Sequence, residues 1–330
     1  MYIYLDIVEK FSCQMCGTCC RNDWQVTVDQ ASYERNYALF ARQGRLDEFR
    51  QAFLTLTGKA KPGEYAAIAK QTTGGACWFL ADSNFCRLHR EAGHQHLDAV
   101  CQTFPRYPMT SARGIELTLS FSCPAVLDQI ARIEPMRLLK SEIPPLPLIP
   151  DQYTEQVFPK QKRKSDPLRY YFELEQHFID IIQCRRLPFE QRISLLDQTV
   201  QQLGTCADHE DAGSQLNQLF WRNYDRMEAG LENAQPELSA EILIEHFLVN
   251  FIFKKPFYTY GLQQAFHWLE LFWRTIIRSI KNSSPQAQWE DAKKIIMELE
   301  VQYGHNRSSL GLVDRCWNSK KFPQKSNLFP

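Results

Sequence analysis

The chain has 330 residues, 44% of them hydrophobic and 23% charged, ordinary proportions for a globular protein with a sizeable buried core. Lys plus Arg and Asp plus Glu both total 38, so the formal charge is zero, which argues against a nucleic-acid binder held by phosphate neutralisation. The opening "MYIYLDIVEKFSC" interrupts its apolar residues with Asp6 and Glu9 and lacks the basic and apolar regions of a secretory signal; apolar runs such as "EHFLVNFIFKKPF" are too short or too charged to span a membrane. A cytoplasmic protein with no membrane association is expected, in a compartment where disulfides are rare.

In chain order, "CQMCGTCC" at 13–20 comes first, with four cysteines in eight positions. "WQVTV" and "IELTLSF" alternate apolar with polar residues and read as short strands that pair as a hairpin. "SYERNYALFARQG" and "RLDEFRQAFLTLTG" read as helices ending at Gly44 and Gly58. "SEIPPLPLIPDQY" cannot continue a helix, and the basic "PKQKRKSDPLR" after it reads as a solvated linker face. Beyond it the periodicity is helical throughout, beginning with Asp166 and Pro167 as an N-cap and first helical residue. Five further helical segments follow without an internal repeat, which predicts a bundle and not a solenoid. The aromatic residues Phe266, Trp268, Phe272 and Trp273 recur at helical spacing and read as core.

The expected fold class is therefore mainly α: an irregular cysteine-rich metal-binding N-terminal domain with a short β-hairpin, then a C-terminal helical bundle. The expected limits are 1–140 for the cysteine domain, 141–165 for a Pro-rich and basic connector, 166–318 for the bundle and 319–330 for a loose tail.

Eight of the eleven cysteines precede residue 124: Cys13, Cys16, Cys19, Cys20, Cys77, Cys86, Cys101 and Cys123. Disulfides conflict with the compartment, and a bridge between adjacent Cys19 and Cys20 carries strain. Unreactive buried thiols are the plain alternative, but Gly17 and polar Gln14, Thr18, Arg21 and Asn22 make poor core patterning around them. A two-residue gap lets both thiolates of a pair reach one ion or cluster from a tight turn, so the spacing points to zinc or iron–sulfur. It does not choose between them. His89, His94 and His96 lie between Cys86 and Cys101 and offer replacement ligands, although the thiolates already suffice. The spacing C-x3-C-x2-C of radical enzymes is absent, since Ser12 stands four before Cys16, and "TTGGAC" is not a nucleotide-binding glycine loop.

"FSCQMCGTCC", "CWFLADSNFCRLH" and "CQTFPR" resemble the CxxCxxCC cysteine-cluster family of zinc- or iron-chelating proteins. "CCRNDWQVTVDQASYERNY", "FCRLHREAGHQHLDAVCQTFPR" and "LTLSFSCPAV" resemble, more closely, the flagellin lysine N-methylases. That resemblance implies a cytoplasmic protein methyltransferase using S-adenosylmethionine, with a [4Fe–4S] cluster on the eight N-terminal cysteines and a protein substrate such as flagellin. Non-catalytic zinc or iron binding, for structure, metal handling or redox, is the rival reading. Trp24, Asp29, Tyr33, Arg106 and Pro124 fall on matching positions, which makes Arg106 a candidate for binding the donor. Methyl transfer to lysine also needs a proton acceptor. Asp29, Glu91 and Tyr107 lie near the cysteine motifs and are the candidates, with Asp29 equally suited to cap the helix near Ser32 and Glu91 to a solvated helix face.

Overall fold

The computed structural model describes residues 1–57, 63–146, 155–206, 212–230 and 238–304. The expected tail at 319–330, and part of the expected connector, lie outside them. The described chain is mainly α, with two sheets.

The first half alternates short elements. Strand β1 (Tyr2–Leu5) opens the chain, and a single turn of helix, α1 (Thr18–Arg21), carries Cys19 and Cys20. Strand β2 (Thr27–Val28) leads to α2 (Gln30–Arg42), capped by Asp29, whose carboxylate accepts from the Ser32 amide at 2.8 Å. The next helix, α3 (Leu46–Ala52), ends earlier than its pattern suggests, and Phe53–Thr55 continue as β3; Gly58 lies outside the described residues. Strand β3 pairs antiparallel with β4 (Ala66–Ile68), which also pairs with β2. Helices α4 (Arg87–Ala92) and α5 (Ala99–Thr103) follow.

The expected hairpin is corrected. Strand β5 (Arg106–Ser111) turns directly into β6 (Gly114–Leu119), and these two form the hairpin; "WQVTV" belongs to the other, three-stranded sheet. Adjacent antiparallel strands close through a short turn, which two segments about ninety residues apart lack. Gly114 is required there. Its φ of +124° and a Cβ position 2.2 Å from the Met1 carbonyl oxygen exclude any side chain. That close approach lets β1 lie parallel against β6. After α6 (Pro124–Gln129), β7 (Leu138–Ser141) and β8 (Glu155–Val157) complete a five-stranded sheet in the order β7-β1-β6-β5-β8.

The helical series is α7 (Tyr171–Gln183), α8 (Phe189–Cys206), α9 (Ala212–Glu228), α10 (Ala240–Phe253), α11 (Pro256–Thr259), α12 (Leu262–Ile280) and α13 (Pro285–Leu299). Asp166 accepts from the Leu168 amide at 2.9 Å, at the head of the turn leading into α7. Helix α10 is buried on nearly every side and packs against α7, α12 and α13, which explains why its sequence is apolar all round. The four aromatic residues of α12 are at most 9% exposed.

Two apolar cores result. The smaller gathers Val28, Phe40, Phe49, Phe53, Phe79 and Leu88. The larger runs from Ile3 and Leu5 through the five-stranded sheet into the long helices beyond residue 170, to Leu299. Residues 109–130 thus share their core with the helical half.

In the helical half the buried His177, Asn223 and Thr199 are bonded to one another. His177, 1% exposed, stands 2.9 Å from the Asn223 amide, and burial holds its imidazole down at about 4. The unfolded chain therefore binds a proton that the folded chain refuses between about pH 6.5 and 4. Stability from this group is complete above pH 6.5 and lost as pH falls, by about 3 kcal/mol across that window. Denaturant melts from pH 7 to 4 should show His177→Gln with a flatter acid limb than the native chain; parallel limbs would dismiss His177 as the sensor.

Candidate functional site

The cysteines reach one another from five stretches of chain, at the junction of the two cores. Cys20, Cys77 and Cys86 pack with the smaller core, and Cys123 belongs to the larger. The first stretch doubles back through Met15 at φ +50° and Gly17 at φ +72°. A Cβ at Gly17 would meet only the movable ends of the Arg21 and Leu80 side chains, so the turn needs glycine for its positive φ. Arg21 Nη1 donates to the Cys16 carbonyl at 3.2 Å and ties the loop to α1.

The Cys77 amide donates to the Cys20 carbonyl at 2.7 Å, which brings the Cys77 thiol into hydrogen bonding with the Cys20 thiol. The sulfurs of Cys19 and Cys20 are 4.0 Å apart. Cys86 stands at the head of α4 and bridges back to Leu80. Cys101 lies in α5 within electrostatic range of Cys19, Cys77 and Cys86. Cys123, heading α6, feels Cys16 and Cys19. Arg106 feels Cys13 and rests its guanidinium 5.7 Å from the centre of the Phe11 ring.

The electrostatics divide these thiols. The hydrogen bond from Cys20 is the main cause that lowers Cys19 to about 7, and the same is true of Cys77. Those bonds push Cys20 far up, so it holds its proton and donates. Burial pushes Cys86 up, Cys123 up to about 11 and Cys101 well above the ordinary thiol range.

Soft thiols gathered in this way suit zinc or an iron–sulfur cluster in kind. Among the described residues, no three His, Cys, Asp or Glu side chains stand together as a ready-made ion cage. The donor set fits a thiophilic group in its chemistry alone.

The other sequence candidates separate. Asp29 is the α2 cap, also accepting from the Ser32 hydroxyl at 3.0 Å. Glu91 pairs with Arg45 Nη1 at 2.8 Å. His89 and His94 meet edge to face with ring centres 5.6 Å apart, and burial lowers His94. His96 Nδ1 lies 3.2 Å from Asn36 Oδ1. Arg106 Nη1 donates to the Gln102 carbonyl at 3.3 Å. Tyr107 is the exception, because it lines a small cleft between the sheet and the helices.

Sequence reasoning missed that cleft and a buried charge network beside it. Lys255, 0% exposed, pairs with Glu116 at 2.7 Å and with Glu175, and Arg113 bridges both carboxylates at 2.6 and 2.7 Å. Burial pushes both carboxyls up, but around Glu116 Lys255 and Arg113 outweigh it and hold that carboxyl below the ordinary range. Glu175 shares the same cations and is left raised, so the two titrate as a pair. The signal in the sequence was "FKKP": two lysines directly after an apolar helix, ahead of a proline.

No protein-family model matches the chain, and no solved structure matches it. Curated relatives do match part of it. Proteins named lysine-N-methylase, from Salmonella typhimurium and Salmonella choleraesuis, are each 26% identical over 127 residues, which is 37% of this chain and 30% of theirs. The flagellar biosynthetic protein FliU of Salmonella muenchen is 26% identical over 125 residues, 37% of this chain and 72% of that protein. The relationship is distant. The chain spans about a third of the length of the lysine-N-methylases it matches. No helix among the described residues is long and apolar enough to cross a membrane.

Proposed function

We propose that this chain is a protein-lysine N-methyltransferase, cytoplasmic, using S-adenosylmethionine and holding an iron–sulfur cluster on its N-terminal cysteines. The observation that carries the activity is the similarity to proteins named lysine-N-methylase. The gathering of thiols from five stretches supports the cluster. Its ligands would be drawn from Cys13, Cys16, Cys19, Cys20, Cys77, Cys86, Cys101 and Cys123, of which a [4Fe–4S] cluster takes four. Bound there, it supplies a set of metal–thiolate bonds linking the smaller core to the larger. A flagellin-like acceptor is suggested by the similarity to a protein named for flagellar biosynthesis.

A sulfonium donor already carries an activated methyl group. What remains for the protein is to align that group with a lysine amine and to take its proton, since the amine titrates near 10.4 in water. An apolar site lowers that value, and a neighbouring carboxylate or phenolate accepts the proton.

The test has two parts. Protein purified without oxygen should contain iron and acid-labile sulfide in equal amounts, about four of each per chain if the cluster is [4Fe–4S]. It should also pass a labelled methyl group from S-adenosylmethionine to protein lysine. Zinc without sulfide, together with no methyl transfer, would leave a non-catalytic zinc-binding protein as the correct reading.

A further inference from the structure

Two half-buried cations, Lys70 and Arg106, stand among the cysteine stretches, and among the described residues neither is ion-paired with a carboxylate. Lys70 faces Cys77 in an antiparallel bridge, a pairing that places the two side chains on the same face. Its ammonium donates to the Asn22 carbonyl at 2.7 Å, at the end of the turn of helix that carries Cys19 and Cys20. Arg106 opens β5. Its Nη1 donates to the carbonyl of Gln102, the residue after Cys101, and its guanidinium lies over Phe11, close in sequence to Cys13. Among the described residues, Arg106 Nε is buried without a hydrogen-bond partner.

The bonds of both cations therefore go to neutral oxygens. Such oxygens only partly replace lost water, so a half-buried cation is costly to hold unless an anion lies nearby. Thiols are the groups at hand. Lys70 favours the thiolate of Cys77, and Cys13 favours the charged form of Arg106 against the burial that lowers it. The other cations near the cysteines are placed differently. Arg87, which Cys77 also feels, is paired with Glu48 at 3.1 Å, and Arg21 is exposed to water.

One carboxylate acts in the opposite sense. Asp98 is 2% exposed, caps α5 by accepting from the Val100 amide at 3.2 Å, and bears on Cys101 from the same helix end.

We propose that Lys70 and Arg106 are the counter-ions of the cysteine centre, stabilising the negative charge that its thiolates carry once a thiophilic metal is bound. The proposal rests on the cysteine-centre part of the functional reading and is independent of methyl transfer. Metal binding takes the protons from the ligating thiols, and four thiolates around a divalent ion outweigh its charge. The two cations therefore favour the loaded site over the empty one, and Asp98 opposes it.

The experiment is a chelator competition on the full chain, loaded with zinc under anaerobic, reducing conditions, with released zinc read by a chromophoric indicator. Lys70→Met and Arg106→Met should each release zinc at about fivefold lower chelator concentration, while Lys70→Arg and Arg106→Lys stay within about twofold of the native chain. Asp98→Asn keeps a capping side chain and should hold zinc about threefold more tightly. That reversal of sign separates charge from packing, since a purely structural loss would loosen the site in every variant. Native-like release from both methionine variants overturns the proposal, as does equal loosening in the charge-keeping variants or any loosening by Asp98→Asn. An Arg106→Met chain that holds zinc normally and loses S-adenosylhomocysteine also overturns it, and would place Arg106 at the donor. Failure of the underlying reading looks different: the native chain itself takes up neither zinc nor iron.

Discussion

Lys255→Met is expected to destabilise the fold by roughly 3–5 kcal/mol, the range for breaking a buried ion pair from one side. The side chain is matched in length, so the loss is chiefly electrostatic. It leaves Glu116 and Glu175 buried with Arg113 as their remaining cation. The pH dependence carries a sign. Without Lys255 both carboxyls are raised above their unfolded values, so the deficit is smallest below about pH 4.5 and grows as pH rises through the folded values. Denaturant melts at pH 4.5 and 7.5 measure it. Adding Glu175→Gln to Lys255→Met should recover part of the loss at pH 7.5, because one uncompensated charge is gone. A loss independent of pH, with no recovery in the double variant, would show that Lys255 acts through packing on Phe253, whose ring centre lies 4.0 Å from its ammonium.

Cys77→Ser is expected to abolish most of the iron and sulfide in anaerobically purified protein and to bleach its visible absorption. Cys77 is central: its amide donates to the Cys20 carbonyl, its thiol interacts with the Cys20 thiol, and its charge is felt at Cys86 and Cys101. Serine keeps the size of the side chain and removes the soft ligand. Cys184→Ser is the control. That residue ends α7, with its sulfur 3.9 Å from the Met227 carbonyl, remote in role from the thiol group. Its iron content should match the native chain. Full chromophore in Cys77→Ser would remove Cys77 from the ligand set and move the centre toward Cys13 and Cys16.

Much of this protein is decided locally, and there the sequence alone suffices. Asp29 and Asp166 cap their helices because a short carboxylate next to a helical run has amides within reach, whatever the rest of the chain does. The helices of the second half follow from apolar spacing, and the burial of Phe266, Trp268, Phe272 and Trp273 follows from the same period. Eight cysteines ahead of residue 124, four of them within eight positions, mark the segment proposed to hold the cluster.

Non-local pairing is what the sequence leaves open. Alternation marks "WQVTV" and "IELTLSF" as strands, but strand partners are chosen by turn geometry and by which faces find a core, and these two go to different sheets. The proline-rich stretch suggests a boundary by composition. Apolar residues on both sides of that stretch share the larger core, because the sheet's apolar face is buried against the helices beyond it. The cleft and the Lys255 network depend on residues as distant as Glu116, Glu175, Lys255 and Glu300, each unremarkable in its own segment. Only the tertiary fold brings such charges together, since burying any one alone costs more than its local segment can offset.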